Sequence, residues 1–305
     1  MTKKEYKVTN DKLIWKMSAK NPPVLRVEPG SVIEFETRDC FGSQKLTPGD
    51  GPIAFDPNMA GNPATGPVYV EGAMPGDVLK VKILEITPTS AAVMGMDKTM
   101  GVFMHETEID ALRIFDVHGG KTFFGDKYPV PNKPMLGVIG IAPEEGTEIP
   151  NMTPGTHGGN MDCKRIIAGS TLYLPVHAEG ALLAVGDVHA VMGDGEVAGG
   201  GAEVAARVRV QVSVIKDEDM EGPMLLSEGY AMAIVSAEKL DTAAEEATKA
   251  MKRFIQKKFK IEHWEACMLL SLVGDLRICQ IVDPLRTCRM EVPMEVFQAY
   301  GYSFE

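Results

Sequence analysis

Acids and imidazoles are concentrated in one glycine-rich stretch, residues 157–203, which reads HGGNMDCKRIIAGSTLYLPVHAEGALLAVGDVHAVMGDGEVAGGGAE. Three of the chain's six histidines lie here, His157, His177 and His189, together with Asp162, Asp187, Asp194, Glu196 and Glu203. The glycines between them let backbone and side chains crowd without steric penalty. The apolar run 181–185, followed by the turn-forming Gly193-Asp194-Gly195, predicts a strand through Gly186-Asp187-Val188-His189-Ala190. Residues two apart on a strand share a face, so Asp187 and His189 point the same way. A carboxylate beside an imidazole at a strand end can hold a metal ion or exchange a proton. A single Asp or His in such a loop is commonly a turn residue or a solvated group. Several of them amid apolar neighbours need a common partner, because an unpaired charge away from water is costly. At least two of His157, Asp162, Asp187, His189 and Glu196 are therefore expected to be functional. Cys163, in the same stretch, is a lesser candidate as a nucleophile, since free cysteine commonly packs as a small hydrophobe.

The elements that must position these residues read as mainly β. Residues 27–37, VEPGSVIEFET, form a Pro-Gly turn and then a strand with Ile33 and Phe35 on one face and Glu34 and Glu36 on the other. That strand delivers Asp39, a turn residue or a ligand, at its end. The same syntax returns at Pro75-Gly76-Asp77, followed by Leu79, Val81 and Ile83 alternating with Lys80 and Lys82. The clearest strand is 204–215, with valines alternating against Arg207, Arg209, Gln211 and Ser213. Between the first two units, residues 42–72 carry five prolines and read as a loop of functional length. Residues 105–110 place Glu106, Glu108 and Asp110 on one solvated strand face. The proline cluster 128–134 reads as a loop before a short buried strand, LGVIGIAP, and His118-Gly119-Gly120 as a turn. Past residue 216 the character changes. A helix opens at Leu240 with Asp241 or Thr242 capping it and Ala244, Ala247, Met251, Phe254 and Ile255 as its stripe. A second helix covers roughly 261–273, and a strand 276–282 is stopped by Asp283-Pro284. The expected architecture is a barrel- or sandwich-like β body, residues 1–215, carrying the His/Asp/Glu motifs, with a C-terminal α/β layer, residues 216–305, packed on it.

Composition bounds the function. A hydrophobic fraction of 45% and a charged fraction of 24% over 305 residues are those of an ordinary globular protein with room for a sizeable core. A net charge of −11 without a Lys/Arg cluster argues against a nucleic-acid partner. The N-terminal residues lack the apolar segment of a secretory signal, and no run has the length of a membrane span. Five cysteines without a CxxC pair fit neither a zinc ribbon nor a disulfide framework, so a reducing cytoplasm is the expected compartment.

Five motifs taken in order, residues 62–73 (NPATGPVYVEGA), Pro75-Gly76-Asp77-Val78-Leu79, His157-Gly158-Gly159-Asn160-Met161-Asp162, Gly186-Asp187-Val188-His189-Ala190 and Gly193-Asp194-Gly195-Glu196, resemble the acetamidase/formamidase family. The resemblance runs over most of the chain and implies hydrolysis of the C–N bond of a short aliphatic amide to ammonia and a carboxylate. The sequence shows neither the Ser-Ser-Lys nor the Cys-Glu-Lys triad of unrelated amidases. An amide carbonyl is a poor electrophile, so its oxygen must be polarised, water activated and the departing ammonia protonated. A divalent metal serves the first two needs. His157, Asp162, Asp187 and His189 are the candidate ligands, with Asp39 as a further contributor. Glu196 is the candidate general base and Asn160 a donor to the developing oxyanion, with Asp162 next in line as base. Zinc suits such a donor set, and calcium competes through Asp194 and Glu196. A homo-oligomer, dimer or higher, is the expected assembly. The alternative is a metal-stabilised small-molecule binding protein without hydrolase activity.

Overall fold

The computed structural model describes residues 4–41, 61–96, 98–108, 111–125, 128–218 and 220–304. Two nine-stranded sheets dominate it. The first runs, in spatial order, Glu5–Val8, Val32–Glu36, Ala206–Ile215, Val78–Pro88, Thr171–Pro175, Met224–Ser227, Tyr230–Ala237, Arg286–Pro293 and Asp275–Gln280. All neighbours are antiparallel except the first pair. The two strands that follow Pro-Gly turns thus flank the valine-rich strand Ala206–Ile215, and their alternation shows why. Ile33, Phe35, Leu79, Val81, Ile83, Val208, Val210 and Val212 are all buried, while the charged residues between them face outward. Each such side chain removed from water contributes about 1.5–3 kcal/mol.

The second sheet is built on Leu183–His189, which pairs antiparallel with Met135–Gly140 on one side and with Ala64–Val70 and Glu203–Val204 on the other. Gly158–Asn160, Ala92–Met96 and Ala111–Phe115 extend it. Leu136, Ile139, Val68, Val185 and Val188 join the first sheet's inner residues in one core, so the two sheets pack as a sandwich. The C-terminal strands continue the first sheet across residue 216. Their other face is covered by helices α1, Leu240–Phe259, and α2, His263–Val273. Ala231 and Ala233 point to the helices while Met232 and Ile234, one residue on, point to the sandwich.

Four expectations about local structure are revised. Within the stretch expected to be loop, Ala64–Val70 is a strand. It is almost wholly buried on both faces, so no alternation marks it in the sequence. Residues 42–60 of that stretch lie outside the described residues, as does Asp110. The proline cluster contains the strand Tyr128–Pro131, paired with Lys121–Phe124 at the edge of a three-stranded sheet, where a missing N–H is tolerated. Residues 101–106 are turns, with Glu106 and Glu108 exposed, and the strand there begins only at Ala111. Helix α1 begins two residues earlier than a cap at Asp241 requires, and three earlier than one at Thr242. Lys239 is the N-cap and makes no side-chain bond, while Asp241 sits in the first turn, where its charge favours the helix dipole.

Candidate functional site

Strand Leu183–His189 carries two of the expected residues to one place, although its backbone is not regular. Asp187 has φ +50°, and Asp162 and Glu196 also take left-handed backbone, at φ +42° and +49°. Each such residue costs on the order of 1–3 kcal/mol unless its surroundings hold it. Three acids sharing this conformation mark a region shaped for something other than stability. All three carboxyls are buried, with His189, Glu203 and Asp283 beside them.

The space for them comes from missing side chains. A Cβ on Gly137, in the neighbouring strand Met135–Gly140, would stand 2.5 Å from Asp162 Oδ1 and 2.6 Å from Asp187 Oδ2. A Cβ on Gly201 would stand 2.5 Å from His189 Nδ1. Glu203 lies directly opposite His189 in the antiparallel ladder, so both side chains leave the sheet on one face. Its Oε1 accepts the Gly201 N–H at 2.9 Å and lies 3.0 Å from His189 Nε2, out of line for a hydrogen bond. Around the same imidazole stand Asp187 Oδ1 at 3.5 Å, Asp162 Oδ1 at 3.8 Å and Glu196 Oε1 at 4.0 Å.

Polar supports fix the outer side of this group. Asn62 Nδ2 donates to Asp187 Oδ2 at 2.9 Å, and Asn160 Nδ2 to Asp283 Oδ2 at 2.9 Å. The turn that carries Asp283 is held by Gln280, whose Oε1 accepts the N–H groups of Val282 and Asp283. The loop that carries Glu196 is held twice. Gly195 donates to Cys279 O and accepts from Ile281 N, at 2.8 and 3.2 Å. Asp194 receives both Nη groups of buried Arg289, at 2.8 and 2.9 Å, and also pairs with Lys164.

So many carboxyls cannot ionise together so close to one another. Burial, then Asp283 and Asp187, raise Asp162 well above the carboxylate range. Burial, then Asp162, do the same to Glu196, and burial with Glu196 to Asp283. Burial lifts Glu203 to about 7 against the opposing pull of His189. Burial disfavours the His189 cation, but Glu203 and Asp187 outweigh it and raise the imidazole. Protons or a cation must neutralise the group.

Its unpartnered atoms favour a cation. Both oxygens of Asp162, both nitrogens of His189, Asp187 Oδ1 and Glu196 Oε2 are buried without a hydrogen-bond partner among the described residues. Buried polar atoms in folded proteins are seldom left so. Donor atoms of Asp162, His189 and Glu196 lie within 4.8 Å of one another, and those of Cys40, Asp187 and Glu203 form a second such group. An imidazole with carboxylates fits a divalent metal.

The structure therefore brings Asp162, Asp187, His189 and Glu196 together and places Asn160 on the flank through Asp283. His157 stands apart. Among the described residues it is buried with both nitrogens unpartnered and forms no ion pair, and it is depressed to about 4 by burial and then by His177. Asp39 is buried and accepts the Phe41 N–H in a local turn, and its neighbour Cys40 is the residue grouped with Asp187 and Glu203. Asp194 is committed to its cations, and Cys163 is buried in the core. Sequence reasoning counted Glu203 among the acids of the stretch without giving it a role, and gave none to Asp283, Cys40 or Asn62. Only Glu203 had a readable signal, as the hairpin partner of His189 across a glycine-rich loop.

The model of the acetamidase/formamidase family matches residues 3–152 and 141–299. The crystal structure of a recombinant predicted acetamidase/formamidase from Thermoanaerobacter tengcongensis superposes with a TM-score of 0.96 at 41% identity, covering 99% of this chain and 100% of that one. An acetamidase from Bacillus halodurans gives 0.93 at 40% identity, covering 97% and 100%. The formamidase of Methylophilus methylotrophus is 27% identical over 64% of this chain and 62% of its own length. The chain spans less than two-thirds of the length of the curated relatives it matches. No described helix is long and apolar enough to cross a membrane. With a family model matched along nearly its whole length and two solved relatives superposing on it end to end, the chain belongs to the acetamidase/formamidase family.

Proposed function

We propose that the chain hydrolyses short aliphatic amides, formamide and acetamide, to ammonia and the carboxylate, with a divalent metal held by Asp162, His189 and Glu196. The observation that carries the reading is the set of buried, partnerless donor atoms on these three residues. A metal bound there would supply a Lewis acid for the amide oxygen and ease the ionisation of water. Zinc fits the imidazole and carboxylate donors, with calcium as the alternative.

The chain's own groups have distinct tasks in this reading. Asp187, oriented by Asn62, and Asp283, oriented by Asn160, supply negative charge around the donors. Membership of the donor group favours Glu196 as a ligand over the free base expected from the sequence. Glu203, lifted to about 7 by burial, is the better proton carrier, since a group near neutrality can take a proton from water and return one to the departing amine. Asn160 uses one amide N–H on Asp283, and its second is the candidate donor to the oxyanion. His157 and Asp39 remain candidates for support of the site from further out.

The test is ammonia release from formamide, acetamide and propionamide by protein stripped of metal and reconstituted ion by ion. Loss of activity on chelation, restored better by zinc than by magnesium, is expected. Full activity in the demetallated protein removes the metal from the scheme, and no release from any of the three amides under any ion overturns the amide assignment.

A further inference from the structure

Strand Tyr230–Ala237 loses one of its neighbours partway along. It pairs with Met224–Ser227 as far as Ala233 opposite Met224, Ile234 then donates to Pro223 O, and the pairing ends. Residues 234–236 face a cavity of about 300 Å³ there. Helix α1 walls it on one side, and the turn at Gly155 and Thr156 on another. Met220, Pro223, Met224, Ala233, Ala250 and Phe254 make most of the lining apolar. Small-molecule sites span roughly 300–1,000 Å³, so the space suits a small ligand.

The mouth carries charges of both signs that cancel among the described residues. Arg253, Lys257 and Glu246 come from α1, and Glu221 from the loop before Met224. Glu221 takes the Nε and Nη2 groups of Arg253, at 2.8 and 2.6 Å, and leaves Nη1 without a partner among the described residues. Both side chains are half-exposed, so a ligand can reach them. A simple anion would unbalance such a mouth, whereas a carboxylate and an ammonium on one small molecule match the Arg253–Glu221 pair side by side.

We propose that this cavity binds a free α-amino acid with an apolar side chain, its carboxylate on Arg253 and its ammonium on Glu221, and that its binding strengthens the candidate metal site. Two walls supply the link. Ser236, on the cavity, shares a hydrogen bond of 2.9 Å with Thr287 directly opposite in the ladder. Gln280 donates to Thr287 at 3.0 Å, and its Oε1 holds the turn of Asp283. On the other wall, Gly155 exchanges two backbone hydrogen bonds with Gly158, the first residue of the strand that ends in Asn160. Asn160 in turn donates to Asp283. Both walls therefore lead to one contact beside the buried acids. A ligand held between them favours the arrangement in which that contact is made, to the extent that it binds this arrangement better than others. This coupling rests on the metal-dependent reading of the site, whereas the cavity's ligand does not.

Titration calorimetry on the full chain tests the site with L-leucine, with isocaproate, which lacks the ammonium, and with isoamylamine, which lacks the carboxylate. Leucine is expected to bind with a Kd below about 1 mM, and each singly charged analogue at least about tenfold more weakly. Ala250→Phe, which fills the space, should abolish binding and leave ammonia release intact, with circular dichroism to check the fold. Arg253→Gln, at the mouth, should erase the difference between leucine and isoamylamine. For the coupling, zinc should bind the leucine-saturated protein about fivefold or more tightly, and leucine should bind the zinc-loaded protein more tightly by the same factor. Ser236→Ala should still bind leucine but lose this reciprocity. A wild type that binds no leucine, or binds the three compounds equally, overturns the site. Zinc affinity indifferent to leucine overturns the coupling. Failure of zinc to bind at all removes the metal reading and the coupling with it, and the leucine titration still decides the cavity.

Discussion

Replacing Gly137 by alanine adds one methyl group directly under two of the site's carboxylates. Its backbone is not in the left-handed region, so alanine brings no conformational penalty and the whole effect is steric. The added Cβ would stand 2.5 Å from Asp162 Oδ1, 2.6 Å from Asp187 Oδ2 and 2.9 Å from the Asp187 carbonyl oxygen. Relief to an ordinary contact requires the carboxylates to move by about 1 Å, and a misplacement of that size costs on the order of 100-fold in rate. Neither acid can yield easily, since Asp187 is tied to Asn62 and both are buried with strained backbones. Gly137→Ala should therefore lower amide hydrolysis about 100-fold and reduce metal occupancy in step, with about 1–3 kcal/mol lost in stability by overpacking. Gly193→Ala is the control, because a Cβ there meets nothing within 4 Å and its backbone is also ordinary. Turnover, metal content by elemental analysis and thermal unfolding are to be measured on both. Normal rate and normal metal content in Gly137→Ala would refute the claim that these two carboxylates must converge where they do.

Glu196→Gln should lose metal together with activity, whereas Glu203→Gln should keep its metal and lose roughly two to four orders of magnitude in turnover; elemental analysis beside the ammonia assay separates them, and the reverse pattern exchanges the two roles. Stability of the metal-free protein should fall as pH rises from about 6.5 to 8. Glu203, at about 7, together with raised Asp162, Glu196 and Asp283, binds protons more tightly folded than unfolded, so this stabilisation is lost as each ionises. His157, depressed to about 4, acts with the opposite sign, but its contribution is complete above its unfolded value of 6.5. Thermal unfolding against pH checks the slope, which added zinc should flatten. Arg289→Ala leaves Asp194 and Glu291 without their buried guanidinium and should cost roughly 3–5 kcal/mol; denaturant unfolding measures it, and metal content should fall as well, because Asp194 anchors the loop of Glu196.

What could be read in the sequence followed from periodicity. The strands through Ile33, Leu79 and Val208 and the stripe of α1 alternate or repeat visibly because one face meets a core and the other meets solvent. Ala64–Val70 escaped because its burial erases the alternation. Of the site, Asp187 and His189 were legible as strand neighbours, and Asp162 and Glu196 as acids stranded among glycines. His157 looked the same on paper, but burial, and then His177, hold it neutral outside the acid group. Asp283 arrives 94 positions after His189 and resembles any aspartate before a proline, so its role exists only once Gln280 bends the chain toward Asn160. Gly137 carries no chemistry at all and could be noticed only by what it leaves room for.

The order of the last strands has a consequence for synthesis. Among the described residues Arg286–Pro293 is the last strand along the chain, yet it is inserted between Tyr230–Ala237 and Asp275–Gln280. Until it has left the ribosome, the edge strand has no place on the sheet, the turn bearing Asp283 has no anchor, and Asp194 has no arginine. His189, Glu196 and Glu203 lie on a short hairpin made much earlier, so a nascent chain holds half a cage of acids with no means of closing it. In the proposed reading, the walls around the ion are therefore complete only after Arg286–Pro293 has been made, and a chain ended before that strand would lack the anchors of Asp194 and Asp283.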